Sequence, residues 1–104
     1  MPYSRLANPS ATIAVLERHG LRTRKALGQH FLIDDNIVGR IVREADITPG
    51  ERILGIGPGI GTLTDALLQA GADVVAVEYD ERLLPVLADL AAERLGSAHK
   101  LIAD

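Results

Sequence analysis

The chain has 104 residues and a net charge of −3. It contains no cysteine, which excludes a disulfide scaffold and a thiolate metal site. This length allows one domain at most. The longest early apolar run, Ala11 to Leu16, is too short for a membrane span and lacks a signal peptide's basic start. We therefore expect a cytoplasmic protein with no membrane partner.

Charge is distributed unevenly along the sequence. Residues 1–30 carry five basic side chains and one acidic side chain, a local charge of +4, whereas the remainder carries a local charge of −7. The basic residues cluster in ERHGLRTRKALGQH, residues 17–30. Such a cluster is typical of a segment that contacts nucleic-acid phosphates, and also of an ordinary solvated surface. Both interpretations stay open on charge alone.

The first third of the chain predicts two helices before any strand. Asn8 and Gly20 are the predicted cap and stop of the first helix. Residues 22–33 show no period and predict an ordered loop. A second helix is predicted after a cap at Asp34 or Asp35. Its buried face is predicted to consist of apolar residues at helical spacing, namely Ile37, Val38, Ile41, Val42 and Ala45.

Strands and helices alternate in the rest of the chain. RIL, from Arg52, starts a strand, TLTDALLQAG is a helix, and ADVVAVE is a second, buried strand. A helix capped by Asp80 and stopped by Gly96 follows, and HKLIA is a third short strand. This order predicts an α/β fold with three parallel strands and right-handed crossover helices, preceded by N-terminal helices. We divide the chain into an N-terminal unit, residues 1–33, and the α/β unit, residues 34–104.

Glycine recurs at alternate positions where the first strand meets its helix, at Gly55, Gly57, Gly59 and Gly61. The first strand-to-helix turn of a parallel sheet is a usual ligand contact, and glycine lets a ligand approach the backbone. The spacing is neither the G-x-G-x-x-G dinucleotide fingerprint nor a P-loop. It therefore disfavours nicotinamide and flavin cofactors. A tight turn that binds nothing is the weaker alternative.

Glu78 ends the second strand, seventeen residues after Gly61. An acidic residue at this strand tip can accept hydrogen bonds from both hydroxyls of a ribose, although by itself it is equally typical of a solvated strand end. Tyr79 either covers a base or packs against the next helix. Asp104, at the tip of the third strand, is placed to reach an exocyclic amine of the base, unless the chain end is frayed. Together with the glycine turn, Glu78 favours a nucleoside-containing ligand, and no metal site is predicted.

Three segments, in this order and spacing, resemble the ribosomal RNA adenine dimethyltransferase family: KALGQHFLIDDNIV, ILGIGPGIGTLT and VVAVEYD. The resemblance runs from about Arg22 to Asp104, and GQHFL is its most specific part. It implies a Rossmann-like methyltransferase sheet that binds S-adenosylmethionine. It also implies dimethylation of two adjacent adenosines of small-subunit rRNA, in a 30S-type particle, with this chain as the cofactor-binding N-terminal part.

The resemblance also assigns residues to the cofactor site, which are His30, Leu32, Gly57, Gly59, Glu78 and Asp104. The first two would border the cofactor, the two glycines would cradle its amino-acid end, and Glu78 would bind its ribose. Asp104 would contact its adenine.

Two departures from the family pattern bear on activity. The family carries an acidic residue at position 55, where this chain has Gly55, and the loss is expected to weaken the hold on the cofactor's ammonium group. The family's Asn-Leu-Pro-Tyr-like catalytic loop and helical RNA-binding domain lie beyond the third strand. We therefore expect no catalytic residue in this chain, no activity of the chain alone, and self-association through the open edge of the first strand. The alternatives are another S-adenosylmethionine-dependent methyltransferase, or a non-catalytic module that binds an adenosyl group or RNA.

Overall fold

The computed structural model describes residues 2–21 and 34–93 in full and residues 99–103 by their backbone. Several positions singled out in the sequence lie outside the described residues, namely Arg22, Arg24, Lys25, His30, Leu32, Gly96 and Asp104. For these the sequence-based predictions stay as they are.

Helix α1, Pro9–Arg18, begins where the sequence predicts. Asn8 has extended backbone geometry, and its side chain accepts a hydrogen bond from the Ala11 N–H at 2.8 Å. This side chain therefore satisfies one of the N–H groups that the first helical turn leaves without a partner.

Helix α2, Asp35–Ala45, is capped by Asp34, but its predicted buried face is partly wrong. Val38 is completely buried, whereas Ile37 and Ile41 are 49% and 39% exposed. The helix packs along a narrow stripe that includes Gly39, where an added Cβ would lie 2.6 Å from the Tyr3 ring. The close approach of the N-terminal segment at Gly39 rotates the stripe away from the two isoleucines.

The α/β unit contains strands and helices in the predicted order, with bounds β1 Arg52–Ile56, α3 Thr62–Gln69, β2 Asp73–Glu78, α4 Leu84–Glu93 and β3 His99–Ala103. A 3₁₀ turn, Glu81–Leu83, separates β2 from α4, so the single helix predicted from Asp80 is wrong in its first turn. The reason is Pro85, which has no N–H to donate to the Glu81 carbonyl and is tolerated only in the first turn of an α-helix.

The sheet is parallel and has the strand order β1-β2-β3 in the residues described. Gly55 pairs with Ala76, and Ile56 with Val77, so the ends of β1 and β2 lie side by side. Parallel pairing with intervening helices confirms the predicted α/β fold. It also brings the turns that follow β1 and β2 to the same edge of the sheet.

The two faces of β1 are very different in burial. Ile53 packs on a cluster of buried residues from α3 and β2, whereas Leu54 and Ile56 are 61% and 72% exposed. Strand side chains alternate between the two faces of a sheet, so the core lies on one face only. The opposite face of β1 carries Arg52 beside these two apolar side chains, and it is open to solvent.

Candidate nucleoside cofactor site

The turn between β1 and α3 consists of glycines in a conformation that other residues rarely adopt. Gly57, Gly59 and Gly61 have φ angles of 63°, 62° and 94°. The Gly57 N–H donates to the Val77 carbonyl at 2.8 Å, and the Gly61 N–H donates to the Pro58 carbonyl at 2.9 Å. The first bond holds the turn against the end of β2, and the second closes the turn on itself. Gly55, by contrast, lies within β1 and is not a turn residue.

Two of these glycines have different physical roles. An added Cβ at Gly61 would lie 2.5 Å from Leu90 Cδ2, so α4 packs directly against that backbone. An added Cβ at Gly57 would meet no atom within 4 Å. Gly61 is therefore required by packing, whereas Gly57 presents bare backbone to open space, which a ligand can approach.

Glu78 connects the turns that follow β1 and β2. Its side chain is buried, and its Oε1 accepts the Gly59 N–H at 3.0 Å while its Oε2 accepts the Asp80 N–H at 2.9 Å. A carboxylate has about four acceptor positions, so each oxygen keeps one for a further donor. The arrangement holds the carboxylate rigidly at the sheet edge with capacity for two hydroxyl donors.

The residues after Glu78 are fixed by their own hydrogen bonds. Asp80 accepts the Arg82 backbone N–H at 3.0 Å, and its carboxylate also binds the Arg82 guanidinium at 2.6 Å. This hydrogen bond and the charge of Asp80 raise the pKa of Arg82 above its usual value. Tyr79 is 86% exposed, so the alternative in which it packs against the next helix is wrong.

The N-terminus of α3 carries an unusual polar group. Its N-cap is Gly61, which supplies no side-chain cap, and Thr62 in the first turn is 3% exposed. Thr62 Oγ1 is the one buried side-chain polar atom without a hydrogen-bond partner in the fully described ranges. A buried hydroxyl without a partner is uncommon in folded proteins. The unbonded Thr62 hydroxyl and the partial positive charge of the uncapped helix N-terminus both lie next to the glycine turn.

The structure brings together only part of the set of residues predicted for the site. Gly57, Gly59 and Glu78 lie at one sheet edge, and Gly59 is bonded directly to Glu78. His30, Leu32 and Asp104 lie outside the described residues. No pattern in the sequence indicates the Gly59–Glu78 hydrogen bond, because this bond depends on the pairing of two strands.

The described side chains contain no group of three or more His, Asp or Glu arranged to hold a metal ion. Nor does any described helix combine the length and the apolar character needed to cross a membrane.

Comparison with known families identifies the group to which this site belongs. Residues 20–101 match the family model described as ribosomal RNA adenine dimethylase. The chain belongs to the ribosomal RNA adenine dimethylase family. The match includes the glycine turn and Glu78, and it excludes residues 1–19, which contain the whole of α1.

Relatives in this family are similar over most of this chain but are much longer. A ribosomal RNA small subunit methyltransferase A from Geobacillus kaustophilus is 52% identical over 87 residues, which is 84% of this chain and 30% of the relative. A protein of the same name from Streptococcus agalactiae is 49% identical over 88 residues, 85% of this chain and 30% of the relative. The chain therefore spans about 30% of the length of these curated relatives.

Solved structures support the fold class. A putative RNA methyltransferase from Pyrococcus horikoshii matches with a TM-score of 0.64 at 22% identity, over 79% of this chain and 42% of that one. Coclaurine N-methyltransferase, solved with N-methylheliamine and S-adenosylhomocysteine, matches with a TM-score of 0.60 at 21% identity, over 73% of this chain and 24% of that one. At these identities the likeness shows an α/β methyltransferase-like fold.

Proposed function

We propose that this chain is the cofactor-binding N-terminal part of an rRNA adenine-N6 dimethyltransferase that uses S-adenosylmethionine. The observation that carries the proposal is the pairing of bare backbone at Gly57 with the anchored carboxylate of Glu78, inside the residues that match the family. One relative in fold was solved with S-adenosylhomocysteine, which is consistent with an adenosyl ligand.

The described residues fit the parts of this cofactor. The two remaining acceptor positions of Glu78 match the two vicinal hydroxyls of a ribose. The open space at Gly57 admits the amino-acid end, whose carboxylate suits the uncapped N-terminus of α3. The exposed Tyr79 ring is available to cover the adenine. When bound, the cofactor supplies a methyl group on a positively charged sulfur.

The remaining assignments rest on the family. The names of the relatives support small-subunit rRNA as the substrate, and we propose adjacent adenosines in a 30S-type particle as the target. We propose that His30 and Leu32 border the cofactor and that Asp104 contacts its adenine. The division into residues 1–33 and 34–104, and the cytoplasmic location, likewise stay proposals.

The sheet is proposed to be the first half of a larger Rossmann-like methyltransferase sheet. Residues 1–104 would then supply the cofactor side of the reaction, while the loop that holds the adenine amine belongs to the part of the relatives that this chain does not match. Proximity and orientation supply much of such a barrier reduction, so residues 1–104 are expected to bind the cofactor without methylating RNA.

In this proposal, residues 1–104 expose an apolar surface and a strand edge. Leu54 and Ile56 expose apolar side chains on one face of β1, and β1 is an outer strand of the described sheet. Exposed strand edges recruit other strands. We propose that residues 1–104 self-associate through this edge.

The test is calorimetric titration of residues 1–104 with S-adenosylhomocysteine, using two matched glycine variants. Gly57 and Gly50 both have positive φ, 63° and 84°, and an added Cβ meets no atom within 4 Å at either position. Gly57→Ala and Gly50→Ala therefore introduce similar backbone strain, but only the first places a methyl group in the proposed site.

We expect Gly57→Ala to weaken binding and Gly50→Ala to leave it unchanged. Equal affinity of both variants would place the ligand elsewhere. Failure of the unaltered chain to bind any adenosyl ligand, including S-adenosylmethionine, would overturn the proposed function.

A further inference from the structure

The first residues of the chain precede the family match yet are bonded to the first turns of two helices. The Tyr3 and Ser4 N–H groups donate to the two carboxylate oxygens of Asp35 at 2.9 and 2.8 Å. The Arg5 N–H donates to Asp65 Oδ2 at 3.0 Å. The segment is thus anchored by backbone donors at the start of both α2 and α3.

Asp65 is the central group of this attachment. It lies in the first turn of α3, and its side chain is fully buried. Its carboxylate accepts the Ser4 hydroxyl at 3.4 Å and the Gln69 amide at 3.0 Å, and its Oδ1 lies 3.4 Å from the guanidinium of Arg5. A buried carboxylate is costly unless it is paired, so these contacts strongly favour the attached segment.

Asp65 is also bonded directly to the glycine turn. Its N–H donates to the Gly61 carbonyl at 2.7 Å. Helix α1 completes the contact from the other side, because its Val15 and Leu16 pack in one cluster with Ile60, which is 1% exposed. Ile60 lies between Gly59 and Gly61, so the turn is held between α1 and the first turn of α3.

We propose that residues 2–18, which we call the N-terminal clamp, position the glycine turn for cofactor binding, with Arg5 and Asp65 as positioning residues. This inference rests on the proposed function for its ligand, but the ordering of the turn can be measured without any ligand. Neither residue belongs to the set proposed to contact the cofactor. They act by holding the backbone of Gly57 to Gly61 in the conformation that the bond to Glu78 requires.

The experiment measures amide hydrogen exchange by NMR on the full chain. The protected amides of Gly59 and Gly61 report opening of the turn, and the β2 amides serve as an internal reference. The first variant, Asp65→Asn, keeps the shape of the side chain but places an amide group against the donors that Asp65 accepts. The second variant, Arg5→Met, removes the guanidinium from a half-exposed side chain.

Arg40→Met is the matched control, since it removes the same charged group from an exposed ion pair with Glu44 within α2. Arg5→Lys tests whether a positive charge alone restores the turn.

We expect exchange at Gly59 and Gly61 to rise roughly tenfold in Asp65→Asn and Arg5→Met, with β2 unchanged, and affinity for S-adenosylhomocysteine to fall by a similar factor. Arg5→Lys should restore part of both, and Arg40→Met should behave as the unaltered chain.

An equal rise at the turn and throughout β2 would show a purely structural role and overturn the proposal, as would no change at the turn. If Asp65→Asn does not fold, Arg5→Met decides the question. A chain that binds no adenosyl ligand but shows the local exchange change would refute the proposed function and leave the clamp standing.

Discussion

Replacing Glu78 by Gln should destabilise the chain before any ligand is considered. The carboxylate accepts the N–H groups of Gly59 and Asp80 at 3.0 and 2.9 Å, whereas a glutamine amide can accept only one of them. One charge-assisted hydrogen bond is lost and two donors face each other. The expected loss is about 1.5–3 kcal/mol of the free energy of unfolding. That is a large part of the roughly 5–15 kcal/mol available to a small domain.

Urea denaturation without ligand measures this loss, and Glu81→Gln is its control. Glu81 is an exposed acid in the adjacent 3₁₀ turn, so the same chemical change there should leave the unfolding free energy nearly unaltered. If Glu78→Gln is as stable as Glu81→Gln, the two hydrogen bonds do not hold the turns together and the reasoning is refuted.

A second titration separates stability from binding. Saturating S-adenosylhomocysteine at about 100 times its Kd should add roughly 2.7 kcal/mol to the unfolding free energy of a competent chain. At the same ligand concentration Glu78→Gln should gain clearly less, because the amide nitrogen cannot accept a ribose hydroxyl. Equal gains in the two chains would remove Glu78 from the cofactor site.

Three further changes test the site and the sheet edge. Gly55→Glu should tighten S-adenosylmethionine binding by roughly ten- to a hundredfold in calorimetry, because the new carboxylate would hydrogen-bond to the cofactor's ammonium group. The position has room for a side chain, since an added Cβ meets only one backbone oxygen, at 4.0 Å. Unchanged affinity would show that a carboxylate there does not reach the cofactor. Gly61→Ala should lower the unfolding free energy more than Gly57→Ala, since only its Cβ would collide with α4, and equal losses in urea denaturation would contradict this. Leu54→Lys with Ile56→Lys should shift the chain toward monomer in analytical ultracentrifugation; an unaltered chain that is monomeric at high concentration would contradict the proposed edge contact.

Several features of the site followed from the sequence because they depend on neighbouring residues. The glycine turn is one, since positive φ at alternate positions is a local property that glycine tolerates best. The caps at Asn8 and Asp80 are others, because each side chain bonds an N–H two or three residues ahead. The position of Glu78 at a strand tip likewise followed from an apolar run that ends in an acid.

Burial was predicted less well, because it depends on which surfaces meet. Ile37 and Ile41 have the spacing of a buried face, yet they are exposed because the N-terminal segment packs at Gly39 instead. The sequence analysis does not single out Asp65, yet this residue is completely buried because Ser4 and Arg5 fold over it.

The alternation of strands and helices, the glycine turn and the acid at the end of β2 can all be predicted from the amino-acid sequence. The hydrogen bond between Glu78 and Gly59, nineteen residues apart, and the packing of α1 against Ile60 become visible only in the folded chain. The difference lies in the sequence separation of the contacts. Caps, turns and periodicity are settled by contacts within a few residues, whereas these two contacts exist only after β1 pairs with β2 in register and the N-terminal segment closes over α3.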